Sequence, residues 1–292
     1  MTTDSILKNA SDEELGLAVQ TNLFALFRAM TALPNSRIEE TAKLSRHLAS
    51  PSNPMYKGAW GTNLAPDEIE PAIHETIEWF KSRGAPFFFW WTGPNTQPDD
   101  IGKHLTAYGM IDMEGQSQQM AGNIISTASG APGMIADLHK MNESVLDKVI
   151  KGFEITDVQN EKDLQDFKQV LIDGYDIPAP MADGWAQAAR EFGIGRTPWR
   201  MLLGRLNGEP VATNMILGGA GVVGVYGVAV VPSARGKGIG AAITLKPLLE
   251  ARDNDGFNHA VLFSTEMGAP VYQRIGFRMT DVRINRYLWR NS

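Results

Sequence analysis

Three glycines and two cations fall within the nine residues from Pro232 to Gly240 of Val228-Ala-Val-Val-Pro232-Ser-Ala-Arg235-Gly-Lys-Gly-Ile-Gly240-Ala241-Ala242. An apolar run ends at Pro232, and a helical pattern begins just past Lys237. Glycines at 236, 238 and 240 let an anion reach the backbone, and such a loop turns successive N–H groups inward as a nest. The helix start adds unpaired amides and the positive end of its dipole. With Arg235 and Lys237 alongside, the pattern describes a pyrophosphate cradle. A bulky side chain at Gly238 is expected to enter that nest and leave the fold intact. A Walker loop needs G-x4-G-K-[ST], and Gly238 follows Lys237, which excludes it. Gly236-x-Gly238-x-x-Ala241 meets the loose dinucleotide fingerprint. That fold, however, places the loop after its first strand, whereas here several strands come first and only about fifty residues follow.

Other chemistry is thinly represented. The chain has no cysteine, hence no thiolate nucleophile and no thiolate metal site. His47, His74, His104, His139 and His259 show no metal spacing, so no metal is expected, and His259 at a strand start is expected to be structural.

The elements that must position the loop are clearest after residue 150. Strand 153–158 precedes a helix over 161–172, with Leu164, Phe167, Val170 and Leu171 on one face. Strands 199–205 and 210–217 meet at the hairpin signal Asn207-Gly208. The run Val222–Val231 is apolar on both faces and predicts a central buried strand. A helix over 238–253, a strand over 260–263, a short helix over 270–274 and a strand over 279–289 complete the order. Pro247 predicts a kink between Ile243 and Pro247. Before residue 150 the pattern gives helices over 12–30, 66–83 and 98–108, a strand over 87–91, another after Gly109, and a helix over 135–149. Phe87-Phe-Phe-Trp-Trp91 is expected to be buried strand rather than a ligand cage, with Trp91–Pro94 available to line a cleft.

Arg235-x-x-Gly238-x-Gly240, in this order of elements, resembles the GCN5-related N-acetyltransferase (GNAT) family, whose pyrophosphate loop follows Q/R-x-x-G-x-G/A. Ser264-Thr-Glu-Met-Gly-Ala-Pro-Val-Tyr272-Gln-Arg-Ile-Gly276-Phe277 is similar to the family's terminal helix segment. The resemblance covers residues 153–289. It implies acetyl-CoA as co-substrate, its pantetheine arm along Val228, Ala229 and Val230 and its pyrophosphate on Arg235, Gly236, Lys237, Gly238, Ile239 and Gly240. It implies that the strand of Val228 and the strand ending at Phe263 splay, that an N–H near Val230 polarises the thioester, and that Tyr272 protonates the leaving thiolate. The alternative for Tyr272 is a core aromatic. An acceptor ammonium must lose a proton before attack. Glu266, Tyr226 and a water relay to bulk stay open as the base, and Glu266 equally suits the solvated end of its short helix.

A repeat at an offset of about 167 residues aligns Leu105-Thr-Ala-Tyr-Gly109-Met110 with Tyr272–Phe277 and helix 66–83 with the helix after Arg235. The first copy lacks the glycine loop, since Asn63-Leu-Ala-Pro66 stands there, and has Leu105 for the tyrosine. The expected architecture is therefore α/β (α+β), with two GNAT-like domains. Residues 1–150 form a degenerate, cleft-forming one and 151–292 the catalytic one, each a mixed, mostly antiparallel sheet flanked by helices.

Composition bounds the function. The chain has 292 residues, is 43% hydrophobic and carries a net charge of −6, which excludes wholesale disorder and a basic nucleic-acid footprint. Residues 1–150 hold 11 Lys+Arg against 18 Asp+Glu, and residues 151–292 hold 16 against 15. The acidic half favours a cationic acceptor. A polar Met1–Ala10 and the lack of a membrane-length apolar run predict a soluble, cytoplasmic protein without a membrane partner. Three functions fit: N-acetyl transfer to a small-molecule primary amine, transfer with another acyl group or acceptor as in the tandem mycothiol synthases, and non-catalytic acyl-CoA sensing. Tyr272 favours catalysis over sensing.

Overall fold

The computed structural model describes residues 5–34, 36–49, 57–113, 131–177, 179–265 and 267–291. Helix α1 (Asp12–Met30) opens on a capping box in which Ser11 and Glu14 satisfy each other's amides. Strands β1 (Arg37–Glu40), β2 (Ser45–Leu48) and β3 (Lys57–Trp60) form an antiparallel meander. Helix α2 (Ile69–Lys81) crosses to β4 (Phe87–Thr92), parallel to β3, and α3 (Ile101–Ala107) leads to β5 (Ile111–Asp112). The chain continues with β6 (Ala131–Asp137), β7 (Phe153–Asp157), α4 (Glu161–Tyr175), α5 (Ala179–Phe192), β8 (Arg200–Leu206), β9 (Glu209–Gly219) and β10 (Val222–Val230). Helix α6 (Ile239–Asp255), β11 (His259–Phe263), α7 (Ala269–Ile275) and β12 (Arg278–Arg290) close it. β12 joins the strands into one twelve-stranded sheet with two mixed, mostly antiparallel parts, each flanked by helices and each holding one parallel pair, β3–β4 and β10–β11. No helix among the described residues is long and apolar enough to cross a membrane.

The halves are joined by exchanged strands. β6 lies between β11 and the early part of β12, and the late part of β12 (Asn285–Arg290) lies between β4 and β5. A fragment beginning at residue 151 therefore lacks the strand that separates β11 from β12. The helix expected over 135–149 is instead β6 followed by single turns at 138–140 and 143–148. The error has a physical cause. Ile135 packs toward α1 with Val19, Val222 and Val261, while Met134 and Ala136 pack toward α6 on the other face. A strand covered on both sides is a continuous apolar run, which periodicity cannot tell from a helix. β1 to β3, only four residues each, had no pattern long enough to register.

α6 passes unbroken through Pro247. Proline leaves the carbonyl four residues earlier without a donor, and the buried Asn214 of β9 supplies one, its Nδ2 donating to Ile243 O at 2.7 Å. Replacing Asn214 by Leu orphans that carbonyl and is expected to cost about 1–3 kcal/mol. Adding Pro247→Ala returns an N–H to Ile243 and is expected to recover most of the loss. Urea unfolding of both single variants and the double variant measures this coupling.

Candidate active site

β10 and β11 pair in parallel only at Val223–Val225 against Ala260–Leu262, and then they part. A bulge sets the parting point. The register with β9 shifts between Tyr226 and Ala229, Gly227 takes φ +57°, and Thr213 Oγ1 donates to Gly227 O at 2.8 Å. Beyond the bulge Val231 N donates to Val211 O at 3.0 Å. Antiparallel ladders alternate, so Val230 turns its N–H and C=O away from β9, toward the side that β11 has left. Helix α4 approaches β10 closely at Gly174. A side chain there would stand 2.8 Å from Ala229 Cβ and 3.2 Å from the Val230 nitrogen.

The glycine loop continues from this gap. A single turn at Pro232–Ala234 precedes Gly236 and Gly238, at φ +75° and +76°, and α6 starts at Ile239. Its first internal bond runs from Ala242 N to Gly238 O, which leaves the first-turn amides of Ile239, Gly240 and Ala241 as donors for an outside acceptor. Space beside Gly236 is open, and a side chain at Gly240 would touch only Val230 and Val271, at 3.7 and 3.8 Å. Gly238 is different from the expectation. Its missing side chain points at Lys148 O (3.0 Å) and Val149 Cα (3.2 Å), away from the nest, against the segment whose Ile150 N donates to Lys237 O.

Neither loop cation stands free. Arg235 donates through Nε to Val230 O (3.1 Å) and through Nη2 to Gly174 O (2.8 Å), while its own amide bonds Pro232 O. Lys237 Nζ donates to Ser233 O at 2.9 Å. Tyr272, in α7, is buried against Phe277, and among the described residues nothing hydrogen-bonds its hydroxyl. Burial pushes its pKa well above the usual tyrosine value. Tyr175, at the end of α4, is raised first by burial and then by the nearby Tyr272 hydroxyl. Tyr226 faces Asn22. Its hydroxyl donates to Asn22 Oδ1 at 2.6 Å and burial raises its pKa. Glu266 lies outside the described residues. His259 is buried in β11, with no partner for either ring nitrogen among the described residues. No group of three or more His, Asp or Glu among those residues is placed to hold a metal ion.

The matching region of the first half is closed. Beyond β3, Gln97 N donates to Thr62 O and Leu64 N to Gln97 O, so the 93–98 loop zips the strand that in the second half parts from its neighbour. Leu105 sits there as fully buried core.

Residues 164–277 match the model of the acetyltransferase (GNAT) family. This part of the chain is similar to the GNAT acetyltransferases. The family's general chemistry is acyl-CoA-dependent acetyl transfer. No curated protein sequence matches the chain. Among solved structures, a GCN5-related N-acetyltransferase from Kribbella flavida superposes with TM-score 0.67 at 18% identity, over 95% of each chain. A functionally unknown conserved protein from Staphylococcus epidermidis gives 0.65 at 11%, over 88% of this chain and 95% of that one. A tandem GNAT protein from the clavulanic acid biosynthesis pathway gives 0.58 at 13%, over 95% and 93%. At these identities the likeness is one of fold.

Sequence reasoning missed Gly174, Tyr175 and Asn22 around the GNAT gap. A glycine in the last turn of an otherwise regular helix was the one signal for the first. The geometry of Gly238 gives a prediction for the loop. Gly238→Val, strained at φ +76° and pressed on the 148–149 backbone, is expected to lower the urea midpoint clearly without any ligand present. Gly240→Ala, with ordinary contacts, is expected to leave it nearly unchanged.

Proposed function

We propose that the protein is an acetyl-CoA-dependent N-acetyltransferase that moves the acetyl group to a primary amine of a small molecule by direct attack on the thioester. The observation that carries this reading is the parted β10–β11 pair, with the Val230 amide facing the gap beside a helix start built on two positive-φ glycines. In this reading the pantetheine arm runs along Val228, Ala229 and Val230, and the amides from Gly236 to Gly240 hold the pyrophosphate. The Val230 N–H faces the thioester oxygen, where an aimed donor stabilises the charge that develops on attack. Gly174 keeps that amide reachable, because any side chain would cover it.

Tyr272 is assigned as the acid. The nitrogen–carbon bond forms and the carbon–sulfur bond breaks; the phenol proton passes to the sulfur, the amine's proton leaves to solvent, and the phenolate takes a proton back from solvent before the next turnover. Burial favours the neutral phenol, and it raises the proton affinity of a buried thiolate for the same reason, so donation is not opposed by the shift. The sign follows directly. A raised pKa keeps Tyr272 protonated as pH climbs to and past the ordinary tyrosine value of about 10. Activity is therefore expected to rise with deprotonation of the acceptor amine and to show no tyrosine-dependent decline below about pH 10. A falling limb near neutrality that disappears in Tyr272→Phe would overturn the assignment.

Release of free thiol from acetyl-CoA across a panel of small amines tests the activity. Tyr272→Phe is expected to retain acetyl-CoA affinity and to lose turnover by about 10–1000-fold. The first half, with its gap closed by Gln97 and a leucine at position 105, is proposed to bind no acyl-CoA and to shape the acceptor cleft. Calorimetry is then expected to give one acetyl-CoA per chain. Two equivalents would refute that division of labour.

A further inference from the structure

We propose that Arg235 is a positioning residue that couples the filled loop to the C-terminal end of α4, and that its guanidinium is not a ligand of the pyrophosphate. The inference rests on the acyl-transfer reading for what fills the loop, but the coupling itself stands on bonds within the chain.

The guanidinium bridges two carbonyls on different elements, Val230 O on β10 and Gly174 O on α4. At this point the two elements lie so close that a side chain on Gly174 would run into Ala229 and Val230. The helix end so held is sharply turned. Asp176 caps α4 in the left-handed conformation, and Ile177 N donates back to Ile172 O. Tyr175 lies between the clamped carbonyl and that cap, with its hydroxyl near Tyr272. Arg235 is also the residue immediately before Gly236, so any ligand that orders the glycine loop restrains the backbone from which the clamp springs. Binding at the loop is thereby transmitted to the position of Tyr175. A planar fork with several donors can span two carbonyls at once, whereas a lysine ammonium at the end of a single stem reaches one of them.

The test uses the full chain with Arg235→Met and Arg235→Lys, and CoA and acetyl-CoA as probes. Hydrogen exchange at residues 174–177 is expected to accelerate tenfold or more in Arg235→Met, with α6 unchanged and partial recovery in Arg235→Lys. CoA is expected to slow exchange at Ile177 at least threefold in the native chain and not in Arg235→Met. Calorimetric affinity for CoA is expected to stay within about threefold of native, with the same salt dependence. Unchanged protection at 174–177 would overturn the clamp. A tenfold or greater loss of CoA affinity, largest at low salt, would make Arg235 a phosphate ligand and overturn the proposal from the other side. Failure of the native chain to bind CoA would instead sink the acyl-transfer reading, and the exchange comparison without ligand would still decide whether the clamp exists.

Discussion

Two neighbouring parallel strands that pair for three residues and then separate impose the central constraint on this protein. Separation leaves backbone donors and acceptors without a ladder partner, and a buried polar group left unpaired costs about 1–3 kcal/mol. The surrounding structure answers that demand group by group. Thr213 takes the bulge carbonyl of Gly227, Arg235 takes the carbonyl of Val230, and the Val230 amide is left facing the gap. Gly174 lets α4 close on the strand without covering that amide, and Gly238 lets the loop lie against the 148–149 backbone. The gap that results is one that the chain itself does not fill, and it is where the proposed function places the extended arm of the co-substrate.

The parts of this arrangement that are legible in the sequence are local. The β10 run, the glycine loop, the start of α6 and the Tyr-x-x-x-Gly-Phe segment are all contiguous, and their residue types are demanded by turns and by burial within a few positions. What escaped reading is non-local. Arg235 looks like a loop cation in the sequence, and only the folded chain brings Gly174, far upstream, to its guanidinium. Asn22 sits in an unremarkable helical stretch, yet its amide donates to Gly219 O on β9 and its carbonyl receives the Tyr226 hydroxyl. β6 was misread because burial on both faces erases the periodicity that distinguishes strand from helix. Asn214 and Pro247 show the converse. The proline was visible and its kink expected, but the side chain that supplies the missing donor was not.

The two halves show how one plan yields different outcomes. Each part of the sheet contains a meander ending in a parallel pair, followed by a helix and a final strand at comparable spacing. In the first half a loop backbone crosses the end of the pair and bonds to the strand there. In the second half Arg235 takes the Val230 carbonyl and the Val230 amide stays open. The difference lies in the connection after the fourth strand, where the first half supplies Gly93–Pro98 at the position of the second half's gap. The aromatic strand Phe87–Trp91 then serves packing, with Phe88 and Trp90 fully buried.

The exchanged strand carries a consequence for how the protein is made. Synthesis proceeds from the N-terminus, and the strand that covers β4 is contributed by residues 285–290, far downstream of it. Until then Phe87-Phe-Phe-Trp-Trp-Thr presents an unpaired, strongly hydrophobic edge, the kind of segment that recruits other chains. The first half does not complete its sheet as a nascent unit, because β4 waits for a strand that is made much later. Synthesis that stops before residue 285 leaves that edge bare, so yield in the cell depends on adding β12 before the edge finds a neighbour.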